Sequence, residues 1–270
     1  MTVRPTWDPQ QYLRHAGHRT RPFLDLLARV DAPAPACIAD LGCGAGNVTA
    51  LLADRWPAAR ITGYDNSPQM LERAERYAGP LLDFVHADAA TWGPDEATYA
   101  TYDLIVSNAL LQWVPDHADR FPAWLDALTP GGTFAFQVPG NFTAPSHTIL
   151  AALRDSPRWR GRLGGVGERA AAVLEPGDYL TRLTALGCEA DVWETTYLQV
   201  LLGKDPVLDW VKGTALRPVL TALADDPQAS EAFVAEYAEA LRGAYPTGPH
   251  GTVFPFRRIF AVARKGDGLS

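Results

Sequence analysis

The chain is poor in cysteine, in lysine and in positive charge overall, and each shortage excludes something. Its 3 cysteines, Cys37, Cys43 and Cys188, are odd in number and sparse among 270 residues. They are too few to staple a secreted fold, so free thiols are expected. No apolar run approaches the roughly 20 residues that span a bilayer. The opening stretch MTVRPTWDPQQYLRHAG lacks the apolar segment of a signal peptide. Together these absences predict a cytoplasmic location and no membrane partner. Lysine occurs only at Lys204, Lys212 and Lys265, so arginine supplies nearly all of the 24 basic residues, and the net charge is still -7. That deficit argues against a nucleic-acid partner, whose phosphates demand a basic face. An anionic small molecule would have to be met by a few local arginines, whose planar forks suit carboxylates. His15, His18 and His117 have no metal-ligand spacing with one another or with cysteine, and no metal is expected.

What is present reads as one soluble α/β domain with an elaboration. Hydrophobic residues make up 47% and charged residues 20% of the chain, ordinary values for a globular protein. Short apolar, β-rich segments at 37–42, 60–65, 82–88, 102–108 and 132–140 read as buried strands. Helical segments are expected at 46–56, at 67–78 behind a Ser-Pro start, and at 118–128. Such alternation predicts a parallel sheet with helices on both faces. Beyond Gly140 the pattern changes, with helices expected at 175–186, 206–223 and 228–245 and strands at 189–201 and 256–265.

The stretch CIADLGCGAGN carries the chemistry. A dinucleotide fingerprint needs glycine at the first, third and sixth positions after the strand. Here Gly42, Gly44 and Gly46 are followed by Asn47 at the sixth. Asp40, just before the loop, would repel a phosphate but suits an ammonium or balances a cation. That combination favours S-adenosylmethionine, which has an α-amino group and a sulfonium and no phosphate. Asp65, closing the second strand, is placed to take both ribose hydroxyls. Asp88, with the Ala89 amide, is placed to read the adenine edge.

The ordered segments IADLGCGAGN, ITGYDNSPQML, FVHADAATW, YDLIVSNALLQWVPD and LTPGGTFAFQVPGN resemble the motifs of class I S-adenosylmethionine-dependent methyltransferases. YLRHAGHRTRP, SNALLQWVPDH, GCEADVWETTY, DWVKGTALRP and FPFRRIFAVAR extend the resemblance over nearly the whole chain, to the family that methylates trans-aconitate; Ala215 departs from the glycine expected in that family. The resemblance implies an α/β, Rossmann-like, seven-stranded, mostly parallel sheet with an antiparallel last strand and an α-helical substrate cap. In a single methyltransferase domain, 1–30 would be a lid helix and 31–140 the cofactor core. Segments 141–175 and 202–255 would be cap insertions, and 256–265 the last strand. It implies S-adenosylmethionine as cofactor, S-adenosylhomocysteine as product and a methyl ester formed on a small polycarboxylate. Asn66 and Asn108 join Asp40, the three glycines, Asp65, Asp88 and Ala89 as expected cofactor residues.

An ionised carboxylate needs no general base, so no catalytic base is expected. The substrate is expected to be held by arginines from the segments implied to cover the crevice, with Arg19 and Arg21, Arg217, and Arg257 or Arg258 as candidates and Trp113 as a wall. Strand alternation puts Arg257 and Arg258 on opposite faces, so at most one should point inward. The alternatives are a different small carboxylate, hydroxyl or amine substrate, a dinucleotide oxidoreductase, or a non-catalytic binding protein.

Overall fold

The computed structural model describes residues 16–93, 101–167 and 173–266; within these, the side chains of Ala16, His18 and Arg19 are not described. The expectations for His15 and for the His18 and Arg19 side chains therefore lie outside the described residues. The sheet comprises β1 (Cys37–Leu41), β2 (Arg60–Asp65), β3 (Leu82–His86), β4 (Tyr102–Asn108), β5 (Leu128–Pro139), β6 (Cys188–Leu201), β7 (Thr247–Gly248) and β8 (Gly251–Lys265). Its order is β3-β2-β1-β4-β5-β8-β6, with β7 paired to β8. Strands β1 to β5 pair in parallel, and β8 runs antiparallel to β5. The seven expected strands are all present, and the two-residue β7 adds an eighth in a short hairpin with β8.

Most deviations from the expected elements have a local cause. The helix expected from Gly46 begins instead at Thr49, because Gly46 takes a left-handed φ of 76° that no helix accommodates. The segment 206–223 forms two helices, Pro206–Lys212 and Arg217–Ala222, broken at Gly213. Where Ala118–Leu128 was expected to be one helix, a 3-10 turn over His117–Arg120 leads into Phe121–Asp126 with Pro122 in its first turn. Ser67 caps the helix Pro68–Ala74 as expected, its side chain accepting from the Met70 amide.

The chain divides into two compact units. One comprises Arg19–Pro139, Ala171–Thr195 and Arg258–Ser270, the other Met1–His18, Gly140–Ala170 and Thr196–Arg257. The first, the sheet unit, is built on a core that includes Ile105, Phe121, Trp124, Phe134, Phe136 and Tyr179. The second, the helical unit, has its own aromatic core of Trp159, Trp210, Phe233, Tyr237, Phe254 and Phe256. Its longest helix, Pro227–Ala244, starts at Asp226, whose carboxylate accepts from the Ala229 amide.

Candidate functional site

The carboxyl ends of β1, β2 and β4 converge on the glycine loop of the sheet unit. Gly42, Gly44 and Gly46 all have left-handed φ, at 79°, 55° and 76°. The amides of Gly42 and Cys43 both donate to the Tyr64 carbonyl, at 2.7 and 3.0 Å, which ties the loop to β2. A Cβ on Gly42 would lie 2.7 Å from the Cβ of Leu110, whereas one on Gly44 would meet no heavy atom within 4 Å. The loop is thus packed shut at its start and open at its middle.

Asp65 holds that open middle in place. Its Oδ2 accepts from the Gly44 amide at 2.9 Å and its Oδ1 from the Ser67 amide at 2.8 Å. The carboxylate therefore splints the glycine loop to the start of the next helix. The Asn66 amide bonds the same carboxylate, and of its roughly four acceptor positions one is left for a further donor. Asp40 behaves differently. It is wholly buried; Oδ2 accepts from Thr49 Oγ1 at 2.7 Å, and Oδ1 has no hydrogen-bond partner among the described residues. Burial pushes its pKa up to about 7, the Thr49 hydrogen bond opposing and the charge of Asp65 adding to the rise. In this conformation the Asp40 carboxyl has no exposed surface, so the direct ammonium contact expected for it is not made from here. Cys43 is buried beside both acids. Desolvation first, then the two carboxylates, push its thiol far above the usual range, so it serves as a small inert side chain.

At the end of β4 the chain turns through Ala109, a non-glycine residue at φ 58°. Such a conformation costs about 1–2 kcal/mol and persists only where neighbours enforce it. Here the Ala109 amide donates to the Gln137 carbonyl at 2.9 Å, and Gln112 Nε2 donates to the Ala109 carbonyl at 2.5 Å. Asn108 is opposite Gln137 in the parallel register, and Gln137 is opposite Phe260, two residues from Arg258. The three polar side chains therefore share one face of the sheet. Arg258 Nη1 donates to Gln137 Oε1 at 3.0 Å, and Gln137 Nε2 donates to Asn108 Oδ1.

The other expected residues are placed as follows. Asp88 lies two residues past β3, its Oδ1 accepting from the Ala90 amide at 3.0 Å, and Ala89 beside it is half-buried. Asn66 is exposed, with its carbonyl oxygen 3.2 Å from His86 Nε2. Trp113 is half-buried in the 3-10 turn Leu111–Trp113. Arg258 is buried and Arg257 half-buried, the latter donating to the Gly140 carbonyl at 3.2 Å, which agrees with their opposite faces. Arg217 is half-buried at the start of its helix and belongs, with Arg257, to the helical unit. His117 is a core residue, its Nε2 lying 2.7 Å from the Tyr179 hydroxyl, and burial pushes its pKa down to about 4. Reading by sequence missed Thr49, Ala109 and Gln137. Only Gln137 left a signal, as a lone amide in the apolar strand FAFQVP.

Among the described residues, no group of three His, Cys, Asp or Glu side chains could hold a metal ion, and no helix is long and apolar enough to cross a membrane. A methyltransferase domain family matches residues 38–132. The chain is 67% identical to the trans-aconitate 2-methyltransferase of Streptomyces coelicolor, over 98% of this chain and 88% of that protein. It is 65% identical to the enzyme of the same name from Streptomyces avermitilis, over 97% of both. In fold it is similar to the crystal structure of the YcgJ protein from Bacillus subtilis, with a TM-score of 0.57 at 14% identity over 93% of this chain and 100% of that one.

Proposed function

The chain belongs to the trans-aconitate 2-methyltransferase family of S-adenosylmethionine-dependent methyltransferases, and from that premise we propose that it forms a methyl ester on a carboxylate of trans-aconitate. The observation that carries the cofactor site is Gly44. Its amide is anchored to Asp65, and the space where a side chain would stand is open. The donor set fits the cofactor, because a glycine backbone admits close approach, Asp65 retains acceptor capacity for a ribose hydroxyl, and the acids Asp40 and Asp65 favour a cation over a phosphate. Gly42, Gly44, Gly46, Asp65, Asn66, Asp88, Ala89 and Asn108 would hold it, with Asp40 supplying field from beneath. Bound S-adenosylmethionine supplies an electrophilic methyl group on a sulfonium sulfur.

The chain's own residues then have three tasks. A carboxylic acid with pKa near 4 is already ionised at neutral pH, so the nucleophile carries no proton to remove and no side chain acts as base. The tasks left are to bind a trianion, to strip water from one carboxylate, and to hold one oxygen in line for attack. Arg19, Arg217, Arg257 and Arg258 are the forks we assign to the non-reacting carboxylates, and Trp113 the apolar wall. Arg258 is buried, so its charge is the least screened of the described three. Residues 31–140 supply the cofactor side and the segments 1–30, 141–175 and 202–255 the acid side of one methyltransferase domain. A cytoplasmic location fits free thiols and a soluble diffusible acid.

The test is release of S-adenosylhomocysteine from purified protein offered trans-aconitate, cis-aconitate, citrate, isocitrate and monocarboxylates. Turnover confined to trans-aconitate, with a base-stable cofactor product and a base-labile methyl ester, is the expected result. Cofactor binding without turnover of any acid would sink the substrate assignment.

A further inference from the structure

The hydrogen bonds between Arg258, Gln137 and Asn108 have a direction. A guanidinium only donates, so the Gln137 oxygen must face Arg258, as it does at 3.0 Å. The Gln137 NH2 must then face Asn108 and can only meet that residue's oxygen, as it does. Asn108 is left with its amide NH2 turned away from Gln137. Asn108 is 9% exposed, ends β4, and adjoins β1 and the glycine loop, since Ser107 is opposite Leu41. The adjoining backbone is held rigid by the two hydrogen bonds on Ala109.

We propose that Gln137, oriented by Arg258, is a positioning residue that locks Asn108 as a hydrogen-bond donor, so that its NH2 selects a carboxylate at the carboxyl end of β4. Two carboxylates have this chemistry, one on the acid substrate and the α-carboxylate of the cofactor. An ammonium, which only donates, is rejected there because the Asn108 oxygen is already engaged and turned inward. This inference rests on the proposed function and names the group that discriminates an acid from an amine.

The informative substitution is Gln137→Glu, compared with Gln137→Met. Glutamate accepts from both neighbours, so it keeps Arg258 paired and turns Asn108 over, presenting its oxygen where the NH2 had been. We expect Gln137→Glu to weaken carboxylate binding about 10- to 100-fold, the range for a hydrogen bond to a charged group, with an undiminished melting temperature. Gln137→Met lets Asn108 adopt either orientation and should cost only about 2-fold in affinity, the statistical factor for two equal orientations, while lowering the melting temperature by removing the buried hydrogen bond between Gln137 and Arg258. A merely structural role for Gln137 predicts the reverse order. A rise in the KM for trans-aconitate with unchanged S-adenosylhomocysteine affinity assigns the carboxylate to the substrate; the converse assigns it to the cofactor. Unchanged values of both in Gln137→Glu overturn the proposal. Failure of the functional reading is separately visible as absence of turnover by the unsubstituted protein. In that case the side-chain amide proton and nitrogen signals of Asn108 still decide, since signals that do not move in Gln137→Glu overturn the lock whatever the substrate.

Discussion

At the amino ends of the parallel strands, both oxygens of Asp103 accept hydrogen bonds. Its Oδ2 accepts from the amides of Ala36 and Cys37 at 2.7 and 3.0 Å, and its Oδ1 from Thr129 Oγ1 at 3.1 Å. Lys265 likewise donates to the carbonyls of Leu125 and Leu128 there. At the carboxyl ends of the same strands, Asp40 Oδ1 and Gln112 Oε1 are buried without a partner among the described residues. Four residues, Gly42, Gly44, Gly46 and Ala109, are left-handed there. An aspartate is hydrogen-bonded through both oxygens at one end of the sheet and through one oxygen at the other. Ligands of open α/β sheets bind outside the carboxyl ends of the strands, so on the proposed function the carboxyl ends are the binding end.

The strongest way to break this comparison is at the open glycine. Gly44→Val puts a branched side chain into a left-handed residue and into the open space. Affinity for S-adenosylhomocysteine, measured by calorimetry, is expected to fall by more than about 100-fold, a loss of roughly 3 kcal/mol. Retained affinity would remove the loop from the site. Asp103→Ala is the counterpart at the other end. Losing its acceptor role should cost about 2 kcal/mol of stability while cofactor affinity stays unchanged, and a matching loss of affinity would erase the distinction.

A third measurement concerns the buried acid. Because the folded-state pKa of Asp40 is raised to about 7 and its unfolded value is about 4, the ligand-free fold binds the extra proton between those values. Stability should therefore decline as pH rises through that window, by at most about 1.4 kcal/mol per pH unit from this group. Asp40→Asn should abolish this group's contribution in urea unfolding series at pH 5 and pH 8, and an unaltered slope would show that Asp40 is ionised throughout. The smallest effect is expected from Arg29→Ala. Arg29 pairs with Asp191 at 2.9 Å with both side chains about half exposed and lies 4.1 Å from the Trp193 ring centroid. Such a surface pair should contribute less than about 1 kcal/mol, and a larger loss would mean that the ring contact matters more than the charge.

Much of this was legible before any fold was known. β2 and β4 begin and end where their apolar runs do, and Gly42, Gly44, Gly46, Asp40 and Asp65 lie at the strand ends where their order in the chain puts them. Helix starts were less legible, because whether Gly46 continues a helix depends on its φ, and that is set by contact with Phe84 and Ala74, where a Cβ would lie within about 3 Å. The role of Asp65 was read only in part. A carboxylate at a strand end announces acceptor capacity, and its bond from the Ser67 amide two residues on is local, but that Gly44 also uses it depends on β1 lying beside β2.

The amino-acid sequence by itself determined the alternation of strands and helices, the glycine loop with its acids, and through them the family and its cofactor, because these depend on local periodicity and on spacing along the chain. Only the tertiary structure decided which polar atoms are left without partners and which way Asn108 faces. Those are properties of side chains brought from β4, β5 and β8 onto one face of a sheet, residues up to 150 positions apart in the chain. Hydrogen-bond direction there is settled by a donor-only guanidinium two hydrogen bonds away from the amide it governs, a relation that no stretch of sequence displays.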